Sequence, residues 1–316
     1  MKLSVSIGIP VYNGEKFIKK SAESAVHLDE VAEVIIVDDG STDNTYHICR
    51  ELENKYTKIR LLQHPGGLNQ GLPASRNLAV REAACEYVAF LDADDYYLPN
   101  RFEKTIEVFQ DHPEADGVYE ALGIKLYSDK AEELFSNTFR DFTTEEEYLT
   151  TIRENLTPSE LFNRLLKKSS GALHCDTLTL KKSLFIKSGL FSEELRLHGD
   201  NEAFLRFAYY GKLYPGKITK PVAIRGVHEN NRVTTKQDKY KRSLWYETVF
   251  RNFADKKLKR EEARIIFKDY FFAHRFKLRN NSLLKYLSYL WISLYTFGRY
   301  PVKCSKIVAK AYLNKK

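Results

Sequence analysis

Apolar residues run almost unbroken from Leu3 to Pro10, stop at Tyr12, Asn13 and Gly14, and return at helical spacing from Glu15 to about His27. A buried strand, a turn and a helix are predicted. The same alternation follows: the apolar run Glu33 to Val37 ends in Asp38 and Asp39, and the turn Gly40-Ser41-Thr42-Asp43 leads into a helix from about Asn44 to Lys55. A third strand fits Ile59 to Gln63, a helix Ala74 to Ala84, and a fourth strand Tyr87 to Leu91. Val- and Ile-rich strands alternating with helices predict an α/β fold with a mostly parallel sheet and flanking helices.

Between Gly117 and Thr177 the pattern blurs into short apolar runs, an acidic patch at Glu145 to Glu147 and a helix from Pro158 to Lys168, and it sets no order of elements. A helix from about Asp200 to Tyr210 ends near Gly211, and a strand at Val222 to Val227 leads to His228. Beyond Thr235 the chain reads as helices, interrupted near Asn280 and at Gly298 and Pro301. The expected division is an α/β domain over 1–235 and a helical extension over 236–316.

Hydrophobic residues at 43% and charged residues at 29% of the 316-residue chain give globular composition and exclude a disordered or fibrous class. Cys49, Cys85, Cys175 and Cys304 form no CxxC pair, which points away from a zinc site or a disulfide framework. The start shows no basic segment followed by a long apolar run and a cleavage site, so a cytoplasmic location is expected. Much of the net charge of +8 gathers at the tail, where no acidic residue follows Asp269. The tail also carries an aromatic, leucine-rich segment from Leu283 to Phe297 whose uncharged run is too short to span a bilayer. Two roles are open to it: a peripheral helix on the anionic inner face of the cell membrane, or packing against protein.

In a parallel α/β sheet, ligands bind beyond the carboxyl ends of the strands. Three such ends carry polar clusters: Pro10 to Asn13, Asp38 to Asp43, and Asp92-Ala93-Asp94-Asp95. Carboxylates crowded at a strand end repel one another unless a cation or donors separate them, and a hard divalent ion is one such cation. Asp38 and its neighbours offer acceptors for base N–H or ribose hydroxyl groups, although Thr42 or Asp43 could equally cap the next helix. The stretch Gly66 to Gly71, followed by Ala74-Ser75-Arg76-Asn77, is a glycine-rich loop entering a helix. It matches neither a Walker A pattern nor GxGxxG.

Pro10-Val11-Tyr12-Asn13, Val37 to Asp43, Ala74 to Asn77 and Leu91 to Asp95 together resemble, in order and spacing, the family 2 inverting glycosyltransferases of the GT-A fold, the nucleotide-diphospho-sugar transferase superfamily. The resemblance implies a nucleotide-binding half over about 1–117 and an acceptor half over about 118–235. It implies that Pro10, Tyr12 and Asn13 line the nucleotide pocket, that Asp38 and Arg76 recognise the base, and that Asp39 and Asp92 lie on the ribose side. Asp94 would ligate Mn²⁺ or Mg²⁺.

The resemblance also implies a general base in a Glu-Asp pair at a helix start. Here Asp200 takes the aspartate place, Gly199 stands where the glutamate usually is, and Glu202 is the reserve. Arg225 to Arg232 resembles an Arg-x-x-His stretch whose histidine, here His228, approaches the metal or diphosphate. Processive relatives carry a QxxRW motif and membrane spans, which this chain lacks, so a non-processive enzyme is implied. The expected partners are a nucleotide-diphosphate sugar, UDP-sugar favoured over GDP- or dTDP-sugar, and a glycan or lipid-linked glycan; no nucleic acid is expected. His174, Cys175 and Asp176 are ligand-like in type but consecutive, which favours structural or acceptor-contact roles. Two other readings compete: a sugar nucleotidyltransferase, against which the GxGTR-like loop is missing, and a non-enzymatic protein binding nucleotide, lipid or nucleic acid.

Overall fold

All seven residues of β1 (Val5–Val11) are buried, as expected of a strand with partners on both edges. Its one buried hydroxyl, on Ser6, donates to Glu33 at 2.6 Å and accepts the Cys85 N–H at 3.0 Å, so the interior position leaves no polar atom stranded. The computed structural model describes residues 2–128, 149–168, 171–195, 199–228, 239–275, 298 and 300–310. The chain separates into two units, Met1–Thr235 and Lys236–Lys316.

In the first unit β1, β2 (Val31–Asp38), β3 (Ile59–Gln63) and β4 (Tyr87–Phe90) pair in parallel in the order β3-β2-β1-β4. They alternate with α1 (Ile18–Val26), α2 (Thr45–Lys55) and α3 (Leu72–Glu82). Ile18, Ala22 and Ala25 of α1 and Val5, Ile7 and Ile9 of β1 are fully buried in one core. Helix α1 starts three residues later than the pattern suggests, because Gly14 to Phe17 form a turn in which the Gly14 carbonyl accepts the N–H of both Phe17 and Ile18.

Beyond β4 the chain forms β5 (Tyr96–Tyr97), α4 (Glu103–Asp111), β6 (Gly117–Tyr119), β7 (Ala121–Leu126), α5 (Pro158–Lys167), β8 (Leu178–Lys181), α6 (Lys182–Ser188), α7 (Gly199–Tyr210), β9 (Leu213–Pro215) and β10 (Pro221–Val227); α7 and β10 fall where the pattern placed a helix and a strand, and β6, β7 and α5 occupy the blurred stretch. β8 enters the main sheet antiparallel between β4 and β6, giving β3-β2-β1-β4-β8-β6-β9. A second sheet, β5-β10-β7, stands apart and carries His228 at the end of its central strand. Pattern alone missed this arrangement because the strands are short and pair across long sequence separations. α5 is an exception: Thr157 and Glu160 form a reciprocal capping box.

The second unit contains α8 (Lys239–Phe253), α9 (Arg260–Arg275) and α10 (Pro301–Val308). It has an apolar interior of its own, where Phe250 stacks on Tyr270 with ring centroids 4.4 Å apart. Among the described residues no helix is long and apolar enough to cross a membrane. The acidic patch Glu145 to Glu147, His198, the segment Leu283 to Phe297 and the tail residues Lys277, Arg279, Lys285, Arg299, Lys315 and Lys316 lie outside the described residues.

Candidate active site

The loops after β1 and β2 are tied together. Asn13 adopts a left-handed backbone, φ 52°, a conformation that asparagine tolerates better than most residues. Its side-chain oxygen accepts the Thr42 N–H at 2.8 Å and its own N–H donates to Ser41 Oγ at 2.9 Å. Asp43 accepts the Thr45 N–H at 3.0 Å just before α2, although the N-cap of that helix is Asn44, which makes no side-chain capping bond. Pro10 is buried within β1, and Tyr12 next to it is 46% exposed.

Asp38 and Asp39 both point inward. Asp38 is fully buried and accepts from Gln63 Nε2 at 2.8 Å and Ser41 N–H at 3.2 Å. Asp39 is wrapped by the glycine-rich loop: its carboxylate accepts the Gln70 N–H at 2.7 Å and the Gly71 N–H at 2.9 Å, while its carbonyl accepts from Asn69 Nδ2 at 2.9 Å. Gly40 is required by this closure. Its φ is 74°, and a Cβ there would fall 2.5 Å from the Gly67 carbonyl oxygen.

The β4 cluster divides instead. Asp92 receives Arg76 Nη2 at 2.7 Å, and Arg76 Nη1 bonds Asp200 on the far side. Arg76 is thus a bridge between the acidic loop and the first turn of α7, with its guanidinium 5.5 Å from the Phe191 ring centroid and 5.8 Å from that of Phe90. Burial works against its charge, yet Asp200 leads the surrounding groups in holding its pKa above the ordinary arginine value. Burial pushes the Asp92 carboxyl up, with Arg76 opposing.

Asp94 is the outward member. Its Oδ2 lies 3.3 Å from His228 Nε2, and the two side chains are 31% and 18% exposed. His228 is held flat against Phe17, with centroids 4.7 Å apart and planes 16° off parallel. Asp95 turns inward, accepting the Gly226 N–H at 2.9 Å. Gly226 is the second necessary glycine: a Cβ there would meet the Asp94 carbonyl oxygen at 2.5 Å.

Beneath the loop, Asp92, Asp95, His174 and Asp176 bring potential ligand atoms within 4.8 Å of one another. Burial, reinforced by Asp176, pushes the Asp95 carboxyl well above the usual carboxylate range. Burial acts on Asp176 in the same sense, but His174 and a hydrogen bond from Asp95 outweigh it and hold Asp176 well below that range.

Asp200 sits in the first turn of α7 with its side chain 42% exposed. Glu202, two residues on in the same turn, is fully buried and held bidentate by Arg206, at 2.7 and 2.8 Å, while Arg206 also donates to the Ser188 carbonyl at 2.7 Å. The structure thus brings Arg76, Asp92 and Asp200 into direct contact, pairs Asp94 with His228, ties Asn13 to the loop after Asp38 and Asp39, and leaves Glu202 inside the protein. The sequence marked Asp176 as ligand-like in type, but no spacing rule connects it to Asp92, which it meets because β8 pairs with β4.

Residues 6–185 match glycosyl transferase family 2, and the chain belongs to that family. It is similar to an uncharacterized glycosyltransferase of Rickettsia typhi, 27% identical over 259 residues, 81% of this chain and 73% of that one. It is 37% identical over 106 residues to the chondroitin synthase of Pasteurella multocida, 33% of this chain and 11% of the synthase. A further relative is an uncharacterized glycosyltransferase of Haemophilus influenzae, 34% identical over 110 residues, of whose length the match spans 43%. Among solved structures, S. aureus TarS 1-349 in complex with UDP-GlcNAc superimposes with a TM-score of 0.65 at 18% identity, covering 98% of this chain and 82% of that one. The mannosyltransferase PcManGT from Pyrobaculum calidifontis in complex with GDP-Man and Mn²⁺ gives 0.53 at 16% identity, covering 100% and 89%. These likenesses establish the GT-A fold.

Proposed function

We propose that the chain transfers one sugar from a nucleotide-diphosphate donor, a UDP-sugar in the favoured reading, to a hydroxyl of a glycan or lipid-linked glycan with inversion. The observation that carries this is the Arg76 bridge: one buried guanidinium joins Asp92, at the strand end where a donor would lie, to Asp200, the carboxylate proposed as base. The UDP-GlcNAc in the TarS complex and the family match support the donor class.

Asp38, Asp39, Tyr12 and Pro10 form the nucleotide end of the site in this reading, with Asp39 acting through the loop it organises. Asp200 accepts the proton of the acceptor hydroxyl as its oxygen bonds to the anomeric carbon and the bond from that carbon to the diphosphate breaks. Arg76 keeps that carboxylate aimed, and its half-exposed position leaves it open to an arriving hydroxyl. Glu202, committed to Arg206, is not the base.

For a divalent cation, two donor sets compete. The buried set beneath the loop is shut off from solvent, with Asp95 and Asp176 3% and 0% exposed, and the two carboxylates already accept the Gly226 and Asp92 backbone N–H groups. Asp94 and His228 bring a hard carboxylate oxygen and an imidazole nitrogen within 3.3 Å of each other, with the Asp94 side chain 31% exposed, a donor pair that would suit Mn²⁺ or Mg²⁺ completed by phosphate oxygens. The second set is the one we assign. A cation held there would take up charge developing on the leaving diphosphate.

The test is a donor panel of UDP-, GDP- and dTDP-sugars, following nucleotide diphosphate release with wild type and Asp200→Asn. Release from one donor class, lost in the variant while donor binding persists, is expected; full turnover by Asp200→Asn would remove the base assignment.

A further inference from the structure

The turn His174-Cys175-Asp176 lies under the acidic loop and has no part in the chemistry above. Asp176 is completely buried, and its Oδ1 accepts the backbone N–H of Asp92 at 3.0 Å. Burying a carboxylate costs far more than burying an apolar side chain of the same size, so its placement has to be accounted for by what it holds. What it holds is the loop: Asp92 at its backbone N–H, and Asp95 close enough for both to fall within a 4.8 Å set of ligand atoms. Asp95 passes the constraint on by accepting the Gly226 N–H, in the strand that leads to His228.

Asp176 is fixed from its other side. Its carbonyl accepts Arg101 Nε at 3.0 Å, and Arg101, itself completely buried, is paired with the buried Glu120 at 2.9 Å. Glu120 in turn accepts from Thr105 at 3.0 Å. His174 closes the turn: its Nδ1 accepts the Asp176 N–H at 3.3 Å and lies 3.4 Å from Asp176 Oδ2. A rigid polar column therefore runs from α4 and β6 to the backbone of the acidic loop.

We propose that Asp176 is a positioning residue, which aims Asp92 and Asp94 at the donor by anchoring the loop backbone, with Arg101 and His174 fixing Asp176. This rests on the reading of Asp94 as the metal ligand at a nucleotide site. A contact made before ligand arrives spares the loop the ordering that binding would otherwise require.

The experiment is calorimetric titration of the whole chain with UDP, or with whichever diphosphate wild type binds, with and without Mn²⁺, for wild type, Asp176→Ala, Asp176→Asn and His174→Ala. Asp176→Ala is expected to weaken Mn²⁺-dependent binding at least tenfold while the folded fraction still melts cooperatively. Asp176→Asn, which keeps an acceptor for the Asp92 N–H, should recover most of that loss, and His174→Ala should show a smaller loss in the same sense. If Asp176→Ala does not fold, His174→Ala decides: wild-type binding by it overturns the proposal. Lower melting temperature with unchanged affinity in Asp176→Ala would reduce the column to ordinary core packing. Two Mn²⁺ per wild-type chain and one in Asp176→Ala would make Asp176 a ligand and overturn positioning. Wild type that binds no nucleotide diphosphate with Mn²⁺ would defeat the functional reading instead.

Discussion

Two acidic clusters end β2 and β4, the strands on either side of β1 in the same sheet, and the protein uses them in opposite ways. At the end of β2, Asp38 and Asp39 are closed: Gln63, Ser41, Gln70 and Gly71 supply donors to their carboxylates. At the end of β4, Asp94 remains turned outward beside His228, and Asp92 is shared with an arginine that also reaches Asp200. Closed carboxylates shape loops, while in the proposed function Asp94 serves a cation and Asp200 a proton.

The contrast is broken most severely at the open end. Asp94→Ala should eliminate Mn²⁺-dependent binding of nucleotide diphosphate while stability shifts by no more than about 0.5 kcal/mol, the usual range for a surface position; calorimetry and denaturant melts measure the two. Asp200→Asn should lower the transfer rate by roughly 10²- to 10⁴-fold, the scale of a lost general base, with donor affinity held. Steady-state kinetics separates kcat from KM.

The closed end should respond through stability. Asp39→Ala leaves the Gln70 and Gly71 amides without their charged acceptor and should cost about 1.5–3 kcal/mol in urea melts. Nucleotide affinity would fall only as far as the loop loosens. The smallest effect is expected of Asn13→Gly, which keeps the left-handed turn but removes the acceptor for Thr42; a loss of about 1 kcal/mol should show as a lower melting temperature.

The sequence made the first half of the fold readable because the apolar residues of β1, β2 and β4 are buried on both faces, so their runs are nearly continuous, and each leads into polar residues. β6 and β9 have three residues each and β5 has two, too short for any periodicity to register. The Arg76–Asp200 contact spans a separation of 124 residues, and only the folded chain discloses it. Nor does sequence distinguish an inward carboxylate from an outward one: Asp94 and Asp95 are adjacent, yet Asp95 binds the Gly226 amide and Asp94 faces His228. Glu202 shows the same limit, since its partner Arg206 stands one helical turn away and consumes both oxygens.

The central claim is that the open cluster takes a nucleotide diphosphate together with a divalent cation. A thermal-shift panel of UDP, GDP, dTDP and CMP, each with and without Mn²⁺, tests it most directly, because a ligand that binds only the folded chain raises its apparent stability. The account predicts stabilisation by one diphosphate, UDP first among them, that requires Mn²⁺ and disappears in Asp94→Ala. Absence of any response, or an equal response from Asp94→Ala, would contradict it.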